Sequence, residues 1–336
     1  MDPRIGLNLA IQDDQPRGKL IDFVRKLEAL GYDSVWVGES WGRELFGVLT
    51  HLACHTSEIQ LGAGIANVYS RTPGLVAQSI ATLDEASNGR AILGLGSSGE
   101  KVIRDWHGVP FEKPLQRTRE YLEIVNLALS GQRVNYDGEF FHLRDFRLGF
   151  KPVRDHVPVF NAALGPKNVR LTGELADGWA PLFLSYRHLD RFQQELEAGA
   201  RIAGRSAEAV QIRPYVITAV SDDVREAKAV ARSYFAYYVG GMGTYYRDLV
   251  SSYGYVEETA RIKELWGSFE RSAAADAVTD AMLEEMAVAG TAEQCRQQVM
   301  DLHAAGMGDP VLYIPHGASD RVRNETIEAL SPKAFR

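Results

Sequence analysis

Short β-prone runs alternate with helical stripes along almost the whole chain, and this rhythm restricts the fold more than any single motif does. The runs at 4–10 (RIGLNLA), 34–37, 59–64, 91–95, 157–161, 178–183, 211–220 and 311–315 each lead into a segment with apolar residues three and four apart. At 19–30 the stripe is Leu20, Phe23, Val24, Leu27 and Leu30, stopped by Gly31. Further helices are expected at 44–54, 74–86 behind Pro73, 115–129, 166–175, onward to about 203, at 223–239, 291–305 behind an N-cap Thr291, and 321–330. Eight such units predict a (β/α)8 TIM barrel, an α/β fold, with a doubly wound sheet as the rival that alternation alone does not exclude. Two stretches break the rhythm. At 134–142, Asp137-Gly138 between β-prone runs predicts a hairpin, and 240–290 is helix-forming and aromatic without a convincing strand. Insertions at about 131–156 and 240–290 then carry the chain past the usual barrel length of about 250 residues. No linker-like tract divides the 336 residues, so a single domain over 1–336 is expected.

The most motif-like stretch is Gly94-Leu-Gly-Ser-Ser-Gly99, which has the spacing of a dinucleotide fingerprint. Its context fails that test. Gly108 and Pro110 limit any following helix to two turns, and twenty residues on, Arg119-Glu-Tyr-Leu lies inside an amphipathic helix. No Gly-Lys-Ser/Thr follows, which excludes a Walker-type loop. What remains is a small-residue turn at the end of the fourth strand, where backbone N–H groups and two hydroxyls can face an anion. In a barrel the C-terminal strand ends form the active face. In order they read Asn8; Glu39-Ser40-Trp41; residues 62–67; residues 96–100; residues 161–167; Pro181 and Phe183; and Pro315-His316. The 163–167 turn adds a cation and a proline at a helix start.

Composition closes off other classes. A net charge of −7 with no basic face argues against nucleic acid as a partner. No apolar run approaches the length of a membrane span, and the N-terminus lacks the pattern of a signal peptide, so a soluble cytoplasmic protein with no membrane partner is expected. Cys54 and Cys295 have no metal spacing and read as free thiols; no metal site is expected.

Several stretches together, in this order and spacing, resemble the bacterial luciferase-like superfamily, in its branch that uses the deazaflavin coenzyme F420. They are residues 31–39 (GYDSVWVGE), 61–67 (LGAGIAN), 84–90 with 94–100, the hairpin at 136–141, 165–178, and 289–293. The resemblance spans nearly the whole chain. It implies a barrel that binds flavin or deazaflavin at its C-terminal face and transfers a hydride to or from a small-molecule substrate. Relatives like methylenetetrahydromethanopterin reductase have a non-proline cis peptide at the third strand's end, and Gly64-Ile65 matches it. The resemblance thus implies cofactor contacts at Glu39, Gly64, Ile65, Ala66 and Asn67. It implies a phosphate and tail cradle at Ser97, Ser98 and Gly99 with Ala163, Leu164, Gly165, Pro166 and Lys167.

Glu39 and Glu100 are the catalytic candidates it implies. Ser40 stands where many relatives have histidine. The lysine-bearing loop of sugar-phosphate relatives is replaced by residues 182–187, which argues against such a substrate. FMN is the alternative cofactor, in a monooxygenase, and a non-catalytic flavin-binding barrel is the alternative outside enzymes. His107 and His316 are possible substrate neighbours. Tyr245, Tyr246, Tyr253 and Tyr255 either wall a pocket or serve as core or dimer contacts; a homodimer is expected.

Overall fold

The computed structural model describes residues 4–9, 17–39 and 41–335. Eight strand positions follow one another around a closed, parallel sheet: Gly6–Leu9, Ser34–Val37, Gln60–Ala63, Ala91–Gly96, Val159–Asn161, Gly178–Trp179, a seventh in two pieces, and Val311–Tyr313. The seventh is Gln211–Ile212 plus Tyr215–Val220, because Pro214 has no N–H to give the ladder. Its first piece pairs with Gly178–Trp179, Tyr215 bridges to Leu182, and its second piece pairs with Val311–Tyr313, which returns to the first strand.

The register shows that the sheet closes as a barrel. Leu61 is level with Val35, Leu7, Leu312 and Val216 in one direction and with Ala91 in the other. Gly94, three residues beyond Ala91, is level with Phe160, Gly178 and Gln211. Ala91 therefore corresponds to position 208 on the seventh strand, eight residues short of Val216. That stagger is the shear of an eight-stranded TIM barrel.

Inside the barrel, Trp36 packs edge-on against Phe160 and Tyr215, with centroids 5.6 and 6.1 Å away. At its lower end the buried Arg213 donates to Asp33 at 2.8 Å and to Ser34 Oγ at 3.1 Å. The conspicuous stretch 84–90 serves this framework. Arg90 donates to Ser87, Thr56, Ile59 and Ala53, tying the end of the second helix to the third strand, and Asp84 accepts from Arg154.

Two expectations need correction. Residues 240–290 do contain a strand, Ala287–Gly290, which pairs in parallel with 217–220 before the Thr291 capping box opens the next helix. Its three small residues and single valine follow directly on the helix Asp280–Met286, so no β-branched run announces it. The first insertion is a hairpin, but its strands Val134–Asp137 and His142–Phe146 are joined by a four-residue loop, wider than a two-residue Asp-Gly turn. The reason is Glu120, buried on the preceding helix. Its carboxylate accepts from the backbone of Glu139, Phe140 and Phe141 at 2.8, 2.9 and 3.2 Å and from Gln116 at 2.9 Å.

Burial pushes the Glu120 pKa up, and these four donors pull it down further, leaving it below the ordinary 4.5. Its contribution to stability is therefore present above pH 4.5 and lost as pH falls below it. Glu120→Gln is expected to cost about 2 kcal/mol at pH 7 and to flatten the acid limb, read as the urea midpoint against pH.

Candidate functional site

The C-terminal strand ends surround a cavity of about 770 Å³. Its barrel side is built from Asn8, Glu39, Ile65 and two small-residue turns. Its outer side comes from tyrosines of the helices that follow the seventh strand.

The third strand ends in a bulge. Gly64 N–H donates to the Val37 carbonyl at 2.7 Å, the Gly64-Ile65 peptide is cis, and Ala66–Asn67 then pairs with Leu95 and Gly96 of the fourth strand. The bulge fits because two glycines leave room. A Cβ on Gly94 would stand 2.2 Å from the Ala63 carbonyl oxygen, and one on Gly64 2.1 Å from Tyr215 Oη. Ile65 faces the cavity, so the floor at this point is apolar. Ala66 and Asn67 are buried behind it, and Asn67 Oδ1 fixes the next turn by accepting from Tyr69 and Ser70 N–H at 3.0 and 2.7 Å.

Beside the bulge lie the two turns expected to hold an anion. Ser97, Ser98 and Gly99 line the cavity, with Ser98 in the left-handed region at φ 58°. Their backbone N–H groups donate to no acceptor among the described residues. Across from them, Leu164, Gly165, Pro166 and Lys167 also line it. The helix Pro166–Leu175 begins there with no side-chain cap, so its positive end opens into the cavity. Lys167 is exposed and has no ion-pair partner among the described residues. Ala163 is buried below, its carbonyl accepting from Trp179 Nε1 at 2.8 Å.

Of the two candidate carboxylates, the structure brings one to the cavity. Glu39 lines it, with its side chain 9% exposed, and Arg71 grips both carboxylate oxygens at 2.6 Å. Arg71 reaches Glu44 as well, at 2.5 Å, and Glu44 in turn caps the helix Leu45–Ala53. Hydrogen bonding to Glu39 raises the Arg71 pKa, so the guanidinium keeps its proton. Glu100 is not among the lining residues. Its side chain is 55% exposed and pairs one turn on with Arg104 at 2.7 Å, as a carboxylate opening a short helical turn does. Ser40 lies outside the described residues.

His316 lines the cavity and His107 does not; Tyr245 and Tyr246 line it, whereas Tyr253 and Tyr255 are spent on Phe183 and Glu285.

The strand-end argument missed Arg71 and most of the tyrosine wall. Tyr234, Tyr237 and Tyr238 share one face of the helix Val224–Gly241 at helical spacing, a signal indistinguishable from core packing. Tyr234 and Tyr238 donate to Tyr313 Oη at 2.5 and 3.3 Å. Tyr215 Oη is buried beside Gly64 with no hydrogen-bond partner among the described residues. Burial pushes the hydroxyl pKa values of this group upward, so the phenols stay protonated at neutral pH.

The family model described as luciferase-like monooxygenase matches residues 6–309. A putative coenzyme F420-dependent oxidoreductase of Mycobacterium tuberculosis is 30% identical, covering 96% of this chain and 97% of its own. The 5,10-methylenetetrahydromethanopterin reductase of Archaeoglobus fulgidus is 33% identical over 88% of this chain and 89% of its own. Among solved structures, the coenzyme F420-dependent tetrahydromethanopterin reductase of Methanopyrus kandleri superposes with a TM-score of 0.86 at 25% identity, covering 100% of this chain and 99% of that one.

Proposed function

The chain belongs to the luciferase-like monooxygenase family, and on that premise we propose that it is an F420-dependent oxidoreductase that moves a hydride between the deazaflavin and a small organic substrate. The observation that carries this reading is the pairing, in one cavity, of an apolar bulge with turns whose N–H groups have no acceptor among the described residues. A deazaflavin has the matching parts, a flat ring and a phosphate-bearing tail. The orphaned Tyr215 hydroxyl beside the bulge fits a polar ring heteroatom. F420 in the names of the relatives supports the choice of cofactor.

When bound, the deazaflavin supplies the hydride, and the protein supplies position, electrostatics and exclusion of water. The N–H groups of Ser98 and Gly99, the start of the helix Pro166–Leu175 and Lys167 hold the phosphate. Ile65 backs the ring. Glu39, its two oxygens tied to Arg71, serves as an oriented hydrogen-bond acceptor on the cavity wall. A homodimer belongs to the same reading and is checked by light scattering. Among the described residues no helix is long and apolar enough to cross a membrane.

The test is separate fluorescence titration of the purified protein with F420 and with FMN. Saturable binding of F420 and weak binding of FMN is the expected result; the reverse order overturns the reading in favour of a flavin monooxygenase. Tight F420 binding without turnover on a broad substrate panel would indicate a non-catalytic barrel. Lys167→Ala is expected to weaken F420 about tenfold while leaving the phosphate-free deazaflavin riboside unaffected.

A further inference from the structure

Tyr313 occupies an unusual position among the cavity hydroxyls. Tyr234 and Tyr238 both donate to its oxygen, at 2.5 and 3.3 Å. Its own proton has no acceptor among the described residues, although the ring lines the cavity. A phenol whose oxygen is stabilised from behind and whose proton faces an open cavity is arranged to give that proton away.

The surrounding charge indicates what would receive it. Among the described lining residues the charged side chains are Glu39, consumed by Arg71, and Lys167, at the anion turn. Around Tyr313 stand Tyr215 and Tyr234, edge-on at 6.3 and 5.0 Å, and the His316 ring at 6.3 Å. An ionic substrate finds no carboxylate, lysine or arginine there, whereas a neutral, largely apolar molecule with one hydrogen-bond acceptor does find a donor.

We infer that Tyr313 is the proton donor of the reaction, and that the substrate is an uncharged carbonyl compound with an apolar body. This rests on the oxidoreductase reading above. The hydride of the reduced deazaflavin forms a C–H bond at the carbonyl carbon, and the π pair moves to oxygen. That oxygen takes the phenolic proton of Tyr313. The Tyr234 proton then passes along its hydrogen bond to Tyr313, and a solvent proton restores Tyr234. The substrate gains a hydride and a proton, two electrons and two protons in all, the deazaflavin is oxidised by two electrons, and alcohol oxidation is the same sequence reversed. Glu100 has no part in it.

Acetophenone is the probe, because it is neutral, aromatic and has one carbonyl. In the complex with oxidised F420, where no turnover occurs, its 13C-labelled carbonyl stretch is expected at lower wavenumber in the wild type than in Tyr313→Phe. Tyr234→Phe, which removes a donor behind Tyr313 but keeps its proton, is expected to lie between them. With reduced F420, Tyr313→Phe is expected to bind the cofactor normally and to reduce acetophenone about 10²–10⁴-fold more slowly. Identical carbonyl stretches in wild type and Tyr313→Phe overturn the inference, and so does failure of acetophenone to bind the wild-type F420 complex. Failure of the wild type to bind F420 is a different result, and it removes the functional reading itself. If Tyr313→Phe does not fold, an unshifted carbonyl in Tyr234→Phe relative to wild type overturns the inference.

Discussion

Gly94→Ala is expected to lower stability by about 3 kcal/mol and to remove most of the cofactor affinity. The added methyl would lie 2.2 Å from the Ala63 carbonyl oxygen, a backbone atom in the middle of the sheet. A flexible side chain could turn aside, but here two paired strands must separate, because Leu61 and Gly62 are in register with Ala91 and Ile92 just below. Overpacking of this kind costs about 1–3 kcal/mol, and a backbone obstacle belongs at the upper end. Whatever separation occurs also displaces Ile65, whose side chain lies 3.4 Å from the same point. Urea denaturation and F420 titration measure the two effects. Gly165→Ala is the control: nothing lies within 4 Å of its added methyl, and its φ of −86° suits any residue, so stability should stay at the wild-type value. Unchanged stability in Gly94→Ala would show that the third and fourth strands are not as tightly apposed as described.

Arg71→Met is expected to cost about 3–5 kcal/mol, the penalty for breaking a buried ion pair from one side. Glu39 Oε1 would lose its guanidinium donor and Oε2 would keep only Asn67 Nδ2 at 3.4 Å, with the side chain 9% exposed, and Glu44 would lose its contact too. Losing the orientation of Glu39 should weaken F420 about 10–100-fold, the worth of one charge-assisted hydrogen bond. Arg71→Lys should fall between, since an ammonium cannot span both oxygens and reach Glu44. Adding Glu39→Gln to Arg71→Met should recover part of the stability, because the stranded charge is gone. Urea midpoints of the wild type, Arg71→Met, Glu39→Gln and the double variant test this, and strict additivity would contradict the pairing.

The barrel was legible from sequence wherever a strand had its own apolar run and a helix its own stripe. The helix Pro166–Leu175 and the strand Ser34–Val37 fall where periodicity and Pro166 put them. Ala287–Gly290 did not show itself, because its identity as a strand comes from its partner at 217–220 and not from three small residues and a valine. That residues 97–99 and 164–167 meet at one cavity was legible for a local reason: small residues at a strand end and proline at a helix start have few uses. Arg71 was not. Its role depends on Glu39, thirty-two residues upstream, and in the sequence it reads as a loop arginine before the Thr72 cap. Glu100 could not be placed from sequence for the converse reason: a carboxylate at a helical start is equally at home in solvent, and here it pairs with Arg104.

The two sides of the cavity have separate origins in the chain. The cradle and bulge belong to strand ends locked into the closed sheet, whereas Tyr237, Tyr238, Met242, Tyr245 and Tyr246 belong to helices that follow the seventh strand. Those helices pack on the same hydrophobic cluster that fills the barrel around Trp36 and Phe160, with Trp266 over Gly240 and Gly241. On the proposed reading, substitutions at the cavity-facing positions of 237–246 alter the substrate side alone, while the strand-end turns proposed to hold the coenzyme stay with the barrel.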